Sequence, residues 1–494
     1  MGIEAQEVIV EVDAWKGLPK VQIVGLPDSV IKESKNRIKS AIKHSAYEYK
    51  HKVYTISLAP AELQKEGAFF DVPMALGMLA VNKQITLDTD ALYIGELSLN
   101  GDVRPVRGVI CICHMALKKG IKKIVVPYDN YEEAALIEGL DIRPIRCLGE
   151  IEDILSAEYI APSINKNRLK RFKSYDVDFG EVRGQLAAKR ALEIAAAGQH
   201  NILFVGPPGS GKTMLLKRLP TILPEMNSEE LIEVQKVRSI SGEKIRDKGF
   251  SYFRPYRSPH HTISYAGMVG GGSKPMPGEI SLAHEGVLFL DELPEFQRQV
   301  LEVLRQPIEE KKIAISRASF SIEYPARFMF VAAMNPCPCG YHNDLMVDCS
   351  CQNLQIKKYW KKISGPIIDR IDIIMEIPRL KKMDFIKDVD NRNNRFTSIK
   401  MKERVDNARK TQMKRFGKNI TNGDMGVKLI EQHCKVDREI KDFLGGVVER
   451  GLLTGRSYHS VLKVARTIAD IEQEEFVLMR HVAEAVQYRK MVLS

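Results

Sequence analysis

Ile202-Leu203-Phe204-Val205 leads directly into Gly206-Pro207-Pro208-Gly209-Ser210-Gly211-Lys212-Thr213, and Met214-Leu215-Leu216-Lys217-Arg218 follows. The apolar run of four reads as a buried strand and the last segment as the start of a helix. Strand, glycine loop and helix together form the context that a phosphate-binding loop requires. The glycines let backbone N–H groups curl around a polyphosphate, and a helix N-terminus adds partial positive charge. Lys212 is placed to reach the β- and γ-phosphates, and the Thr213 hydroxyl to hold Mg²⁺. The expected ligand is a nucleoside triphosphate, taken as ATP.

Working outward, Val287-Leu288-Phe289-Leu290-Asp291-Glu292 reads as a second buried strand ending in two carboxylates. It lies about eighty residues beyond the glycine loop, where a magnesium-binding acidic strand is expected. Asp291 is expected in the Mg²⁺ shell and Glu292 beside the attacking water. A third apolar strand, Phe328-Met329-Phe330-Val331-Ala332-Ala333-Met334, ends at Asn335. An amide there would sit between the two loops and contact the γ-phosphate or the water.

The whole chain sets the frame. At 494 residues it is too long for one domain. A composition 44% hydrophobic and 28% charged is that of a globular protein. No apolar run approaches twenty residues and the start lacks signal-peptide character, so no membrane span and a cytoplasmic location are expected. Lys plus Arg total 74 against 63 acidic residues, a balance of +11 that favours a polyanionic partner such as nucleic acid. Eight cysteines in such a chain read as thiols or metal ligands rather than disulfides. Cys337-Pro338-Cys339 and Cys349-Ser350-Cys351 form one cluster; four thiolates there could hold a structural Zn²⁺ and close the loop between them, with free thiols the alternative.

The expected fold class is α/β in three parts. Residues 1–157 alternate strands (Glu7–Val12, Val21–Val24, Val53–Leu58, Ile121–Pro127) with helices (Ser29–His44, Pro73–Val81), giving an α+β domain. A polar, basic linker is expected over 158–177, the nucleotide-binding unit over 178–380, and a helical lid over 381–494 that includes an amphipathic run, Ser457–Ile471.

Three further stretches carry a resemblance. Arg257-Ser258-Pro259-His260-His261-Thr262-Ile263-Ser264, Pro277-Gly278-Glu279-Ile280-Ser281-Leu282-Ala283-His284 and Asn335-Pro336-Cys337-Pro338-Cys339-Gly340 resemble the magnesium-chelatase-like AAA+ ATPases. Within them, the ComM/YifB family is matched from Ile23-Val24-Gly25-Leu26-Pro27-Asp28 to Lys463-Val464-Ala465-Arg466-Thr467-Ile468-Ala469-Asp470. Members usually carry a short strand ahead of Gly2-Ile3-Glu4-Ala5, where this sequence starts.

The resemblance implies that Asn335 is the sensor 1 residue. It implies that Arg370 in Ser364-Gly365-Pro366-Ile367-Ile368-Asp369-Arg370 faces the γ-phosphate of a neighbouring subunit, and that Arg456 is the sensor 2 arginine of the lid. It further implies a hexameric ring that moves on single-stranded or branched DNA, promoting branch migration during natural transformation. In related rings a hairpin ahead of sensor 1 grips DNA; the matching stretch here contains Lys311, Lys312 and Arg317. A solvated edge hairpin, its lysines opposing edge pairing, is the alternative reading.

The first domain is similar to the Lon protease catalytic fold. Lys65-Glu66-Gly67-Ala68-Phe69-Phe70-Asp71 has no serine nucleophile, and Ile110 stands where a lysine base belongs, so peptidase chemistry is not expected. A metal-chelatase motor subunit shares the ATPase core and is the second reading.

Overall fold

The computed structural model describes residues 2–163, 175–243, 252–272, 275–317, 320–344, 346–380, 395–451 and 453–489. The expected linker over 158–177 and the start of the expected lid at 381 fall largely outside these residues. The chain divides into two compact units. One comprises Met1–Lys170 with Ile232–Phe250; the other comprises Arg171–Leu231 with Ser251–Ser494.

In the first unit, strand Val53–Ala59 lies between Ile9–Trp15, antiparallel to it, and Lys20–Val24, parallel to it. Its residues alternate about the sheet: Tyr54, Ile56 and Leu58 are buried and their neighbours half-buried. Helix Ser29–His44 contributes Ile31, Ile38, Ala41 and Ile42 to the same core at helical spacing. Its start is fixed by Asp28, whose carboxylate accepts from the Ile31 N–H at 2.8 Å. Helix Asp71–Val81 completes that core. A second sheet of three parallel strands, Ala91–Tyr93, Lys123–Pro127 and Asp141–Ile145, packs with helix Val109–Lys118 around its own apolar cluster. The expected strands and helices are all present, shifted by a few residues at their ends.

The second unit is built on a five-stranded, all-parallel sheet in the order Tyr256–Arg257, Val287–Leu290, Met329–Met334, Ile202–Val205, Ile373–Glu376. The three middle strands are buried at every position, which is why they read as continuous apolar runs rather than alternating ones. Val331 pairs with Ile202 and Leu290 with Ala332. This register brings three strand ends, and the loops leaving them, to one edge of the sheet, where ligands of open parallel sheets bind. Hairpin Lys312–Arg317 and Phe320–Pro325 precedes the third of these strands. Helices Ser398–Phe416, Val427–His433, Arg438–Glu449, Gly455–Ile471 and Met479–Gln487 form the C-terminal part and share one apolar core with the sheet. Among the described residues no helix is long and apolar enough to cross a membrane.

Candidate nucleotide site

The glycine loop leaves the strand Ile202–Val205 and enters helix Lys212–Lys217. Gly209 and Gly211 have φ of 77° and 89°, which side chains rarely tolerate. At Gly206 an added Cβ would lie 2.3 Å from the Ile377 carbonyl oxygen, so that position admits no side chain.

Lys212 points back across its own loop. Its Nζ donates to the carbonyl oxygens of Gly206 at 2.6 Å and Pro207 at 2.9 Å, and to Asn335 Oδ1 at 3.3 Å. Burial pushes this ammonium down to about 8, with the Asp291 carboxylate opposing the shift. Thr213 Oγ1 donates to Asp291 Oδ2 at 2.8 Å. Two hydrogen-bonded pairs, Lys212 with Asn335 and Thr213 with Asp291, thus converge from three strand ends.

Beside them opens a cavity of about 580 Å³ lined by Val182, Gln185, Pro208, Gly209, Met214 and Arg379 among others. Ser210 Oγ, also at this loop, is buried with no hydrogen-bond partner among the described residues, an unspent polar group suited to a phosphate.

Glu292 adopts a left-handed conformation with φ of 52° and is anchored by its N–H to Asp291 Oδ1 at 3.0 Å. Its carboxylate is exposed and lies 3.5 Å from His261 Nδ1. His261 stands in the quoted histidine motif, but nothing in the sequence ties it to Glu292.

Arg370 and Arg456 form a second grouping that the sequence did not connect. Both donate to one carboxylate, Glu309: Arg370 through Nη2, and Arg456 at 2.9 Å. The Arg370 hydrogen bond, followed by that of Arg456, holds Glu309 below the ordinary carboxylate range. Among the described residues no hydrogen bond links this pair to Lys212 or Asn335.

At the hairpin, Lys311 Nζ lies 3.6 Å from Asp424 and Lys312 Nζ is 2.9 Å from Glu323 on the facing strand. Asp424 is also held by Arg327 at 2.7 Å, so Lys311 belongs to the braced base of the hairpin. Arg317 lies at the far end of its strand, next to residues outside the described set.

The four cysteine sulfurs lie within 4.8 Å of one another. Cys337 Sγ is 3.3 Å from Cys339 and 3.7 Å from Cys349, and Cys339 is 3.6 Å from Cys349. A tetrahedral Zn²⁺ with bonds of about 2.3 Å needs sulfur separations near ~3.8 Å. Backbone N–H groups of Cys339 and His342 also point at the sulfurs of Cys351 and Cys337, as thiolates require.

A phosphate-binding loop, an acidic strand and a strand ending in asparagine, in that order along the chain and neighbours in one parallel sheet, define a P-loop ATPase core of the AAA+ type. Comparison with known proteins narrows the class. The family descriptions "Subunit ChlI of Mg-chelatase", "Magnesium chelatase, subunit ChlI" and "Magnesium chelatase, subunit ChlI C-terminal" match residues 10–130, 178–385 and 395–489. The chain is 42% identical to "Competence protein ComM" of Haemophilus influenzae over all of its own length and 96% of that protein. It is 43% identical to "Uncharacterized protein YifB" of Escherichia coli over 99% of its length and 95% of the relative. A weaker similarity, 23% over 203 residues, reaches "Lon protease 1" of Hydrogenovibrio crunogenus. The chain therefore belongs to the magnesium-chelatase-like AAA+ ATPases, in the ComM/YifB family. Membership implies ATP hydrolysis with Mg²⁺.

Proposed function

We propose that this protein is an ATP-driven DNA motor that works in the cytoplasm as a hexameric ring and promotes branch migration as incoming DNA is integrated. The observation that carries the reading is the convergence of Lys212 with Asn335 and of Thr213 with Asp291 at the ends of three adjacent strands, the asparagine strand being the one that the hairpin precedes. The full-length similarity to a competence protein directs the motor toward DNA.

The glycine loop would hold the ATP phosphates, with Thr213 and Asp291 as Mg²⁺ ligands, because their oxygens already converge. The metal would neutralise charge on the transferred phosphoryl group. Glu292 draws a proton from the attacking water, and Asn335 orients that water or the γ-phosphate. Arg370 leaves Glu309 for the γ-phosphate bound by the adjacent subunit, and Arg456 acts as the sensor 2 arginine of the lid. Arg317 contacts the DNA backbone; Lys311 and Lys312 contribute charge at the hairpin. Cys337, Cys339, Cys349 and Cys351 hold a structural Zn²⁺. The first unit serves assembly or DNA contact without peptidase chemistry.

ATP turnover by the purified protein, with and without single-stranded or branched DNA, tests this. DNA should stimulate turnover several-fold. Turnover indifferent to DNA, with no DNA bound at low salt, rejects the motor reading. That result would favour the second one, a chelatase-type motor for metal insertion, which the three ChlI matches support.

A further inference from the structure

The loop closed by the four cysteines is also part of the nucleotide cavity. Asn335 is followed directly by Pro336 and Cys337, so the cluster starts two residues from the amide that holds Lys212. Trp360 Nε1 donates to the Pro336 carbonyl at 2.9 Å and fixes that link.

Gly340, with φ of 90°, turns the chain against the glycine loop; a Cβ there would lie 2.7 Å from Pro208 Cδ. Asp344 accepts from the Met346 and Val347 N–H groups at 2.8 and 3.1 Å, and its buried carboxylate lies 3.0 Å from Arg379 Nε. Arg379 also covers the Tyr341 ring, 5.3 Å from its centre. Met346 and Arg379 line the cavity beside Pro208 and Gly209.

Cys339 and Cys349 bracket this loop, yet each is only partly buried, and the apolar residues Met346 and Val347 are exposed rather than packed in a core. A Zn²⁺ on four converging sulfurs would join the two ends of the loop into one rigid unit.

We propose that Zn²⁺ on Cys337, Cys339, Cys349 and Cys351 holds Gly340 against Pro208 and Asp344 beside Arg379, so that Met346 and Arg379 stand as one wall of the nucleotide cavity and zinc occupancy sets the affinity for ATP. The proposal rests on the nucleotide reading of the glycine loop. Without the metal the wall must be ordered when nucleotide binds, and that ordering is subtracted from the binding energy.

The test uses the full chain and a fluorescent ATP analogue. Affinity is measured on zinc-loaded protein, after chelation, and after zinc is restored, with metal content determined in each state. Chelation should weaken binding about tenfold, an effect of the size expected when a few side chains must be immobilised on binding, and zinc should restore it. Asp344→Asn keeps all four thiols. It should retain zinc yet weaken binding by a smaller factor, which separates the wall from general damage by metal loss.

Zinc uptake with unchanged nucleotide affinity on its removal overturns the proposal. So does a protein that takes up no zinc. A loaded wild type that binds no ATP analogue, indistinguishable from Lys212→Ala, overturns the nucleotide reading and this proposal with it.

Discussion

The two units treat similar polar groups in opposite ways. In the first, the segment that resembles a protease active site is spent on structure. Lys65 is buried, its ammonium on the Pro60 carbonyl. Asp71 is fully buried between Arg37, at 2.8 and 3.1 Å, and the Leu97 N–H at 3.2 Å. Ile110 packs in an apolar cluster. In the second unit, Lys212 bonds to Asn335 and to loop carbonyls, and Asp291 to the Thr213 hydroxyl and the Glu292 N–H, beside an open cavity. A charged group whose partners are all in the fold stabilises; one whose partners can be exchanged for a ligand is available for chemistry.

That contrast can be broken most severely at Glu292. Glu292→Gln should lower ATP turnover about a hundredfold or more by removing the base, a large general-base effect. Equilibrium binding of an ATP analogue should be retained; normal turnover would show that another group activates the water.

In the first unit, Arg37→Ala leaves the Asp71 carboxylate buried and unpaired, which costs about 3 kcal/mol. Denaturant unfolding should show an early transition while analogue affinity is unchanged, and Arg37→Ala with Asp71→Asn should recover part of the loss. An unchanged unfolding curve would mean that Asp71 is not held as a buried ion.

The smallest effect sharpens the comparison from the side of Lys212. Burial lowers its titration to about 8, so the free site loses its positive charge as pH rises through that value. Phosphate binding favours the charged amine, so affinity should fall roughly tenfold between about pH 7 and pH 9. Calorimetry in buffers of different ionisation heat should detect proton uptake on binding. Lys212→Arg, charged throughout, should flatten the profile.

What could be read in the chain follows the range of the interactions involved. Ile202–Val205, Val287–Leu290 and Met329–Met334 are legible because strands buried on both faces need unbroken apolar runs. The glycine loop is legible because its backbone demands specific residues at fixed spacing. Helix Ser29–His44 shows its apolar face within sixteen residues. The partner of Arg370 and Arg456 was not legible, because Glu309 is 61 and 147 residues away and belongs to no motif. The pairing of His261 with Glu292, and the place of the cysteine loop at the cavity, depend on packing for the same reason. Strand Tyr256–Arg257 is only two residues long and carries no periodicity to detect.

The all-parallel sheet also determines where descendants of such a chain are free to differ. Adding one residue inside Met329–Met334 would turn each side chain beyond it to the opposite face and carry Asn335 away from Lys212. The strands are therefore closed to insertion, whereas the segments between them tolerate it. The Lys312–Pro325 hairpin and the cysteine loop both occupy such segments, immediately before and after the asparagine strand. New cargo or new control can be acquired there by lengthening a loop, with the hydrolytic centre inherited unaltered.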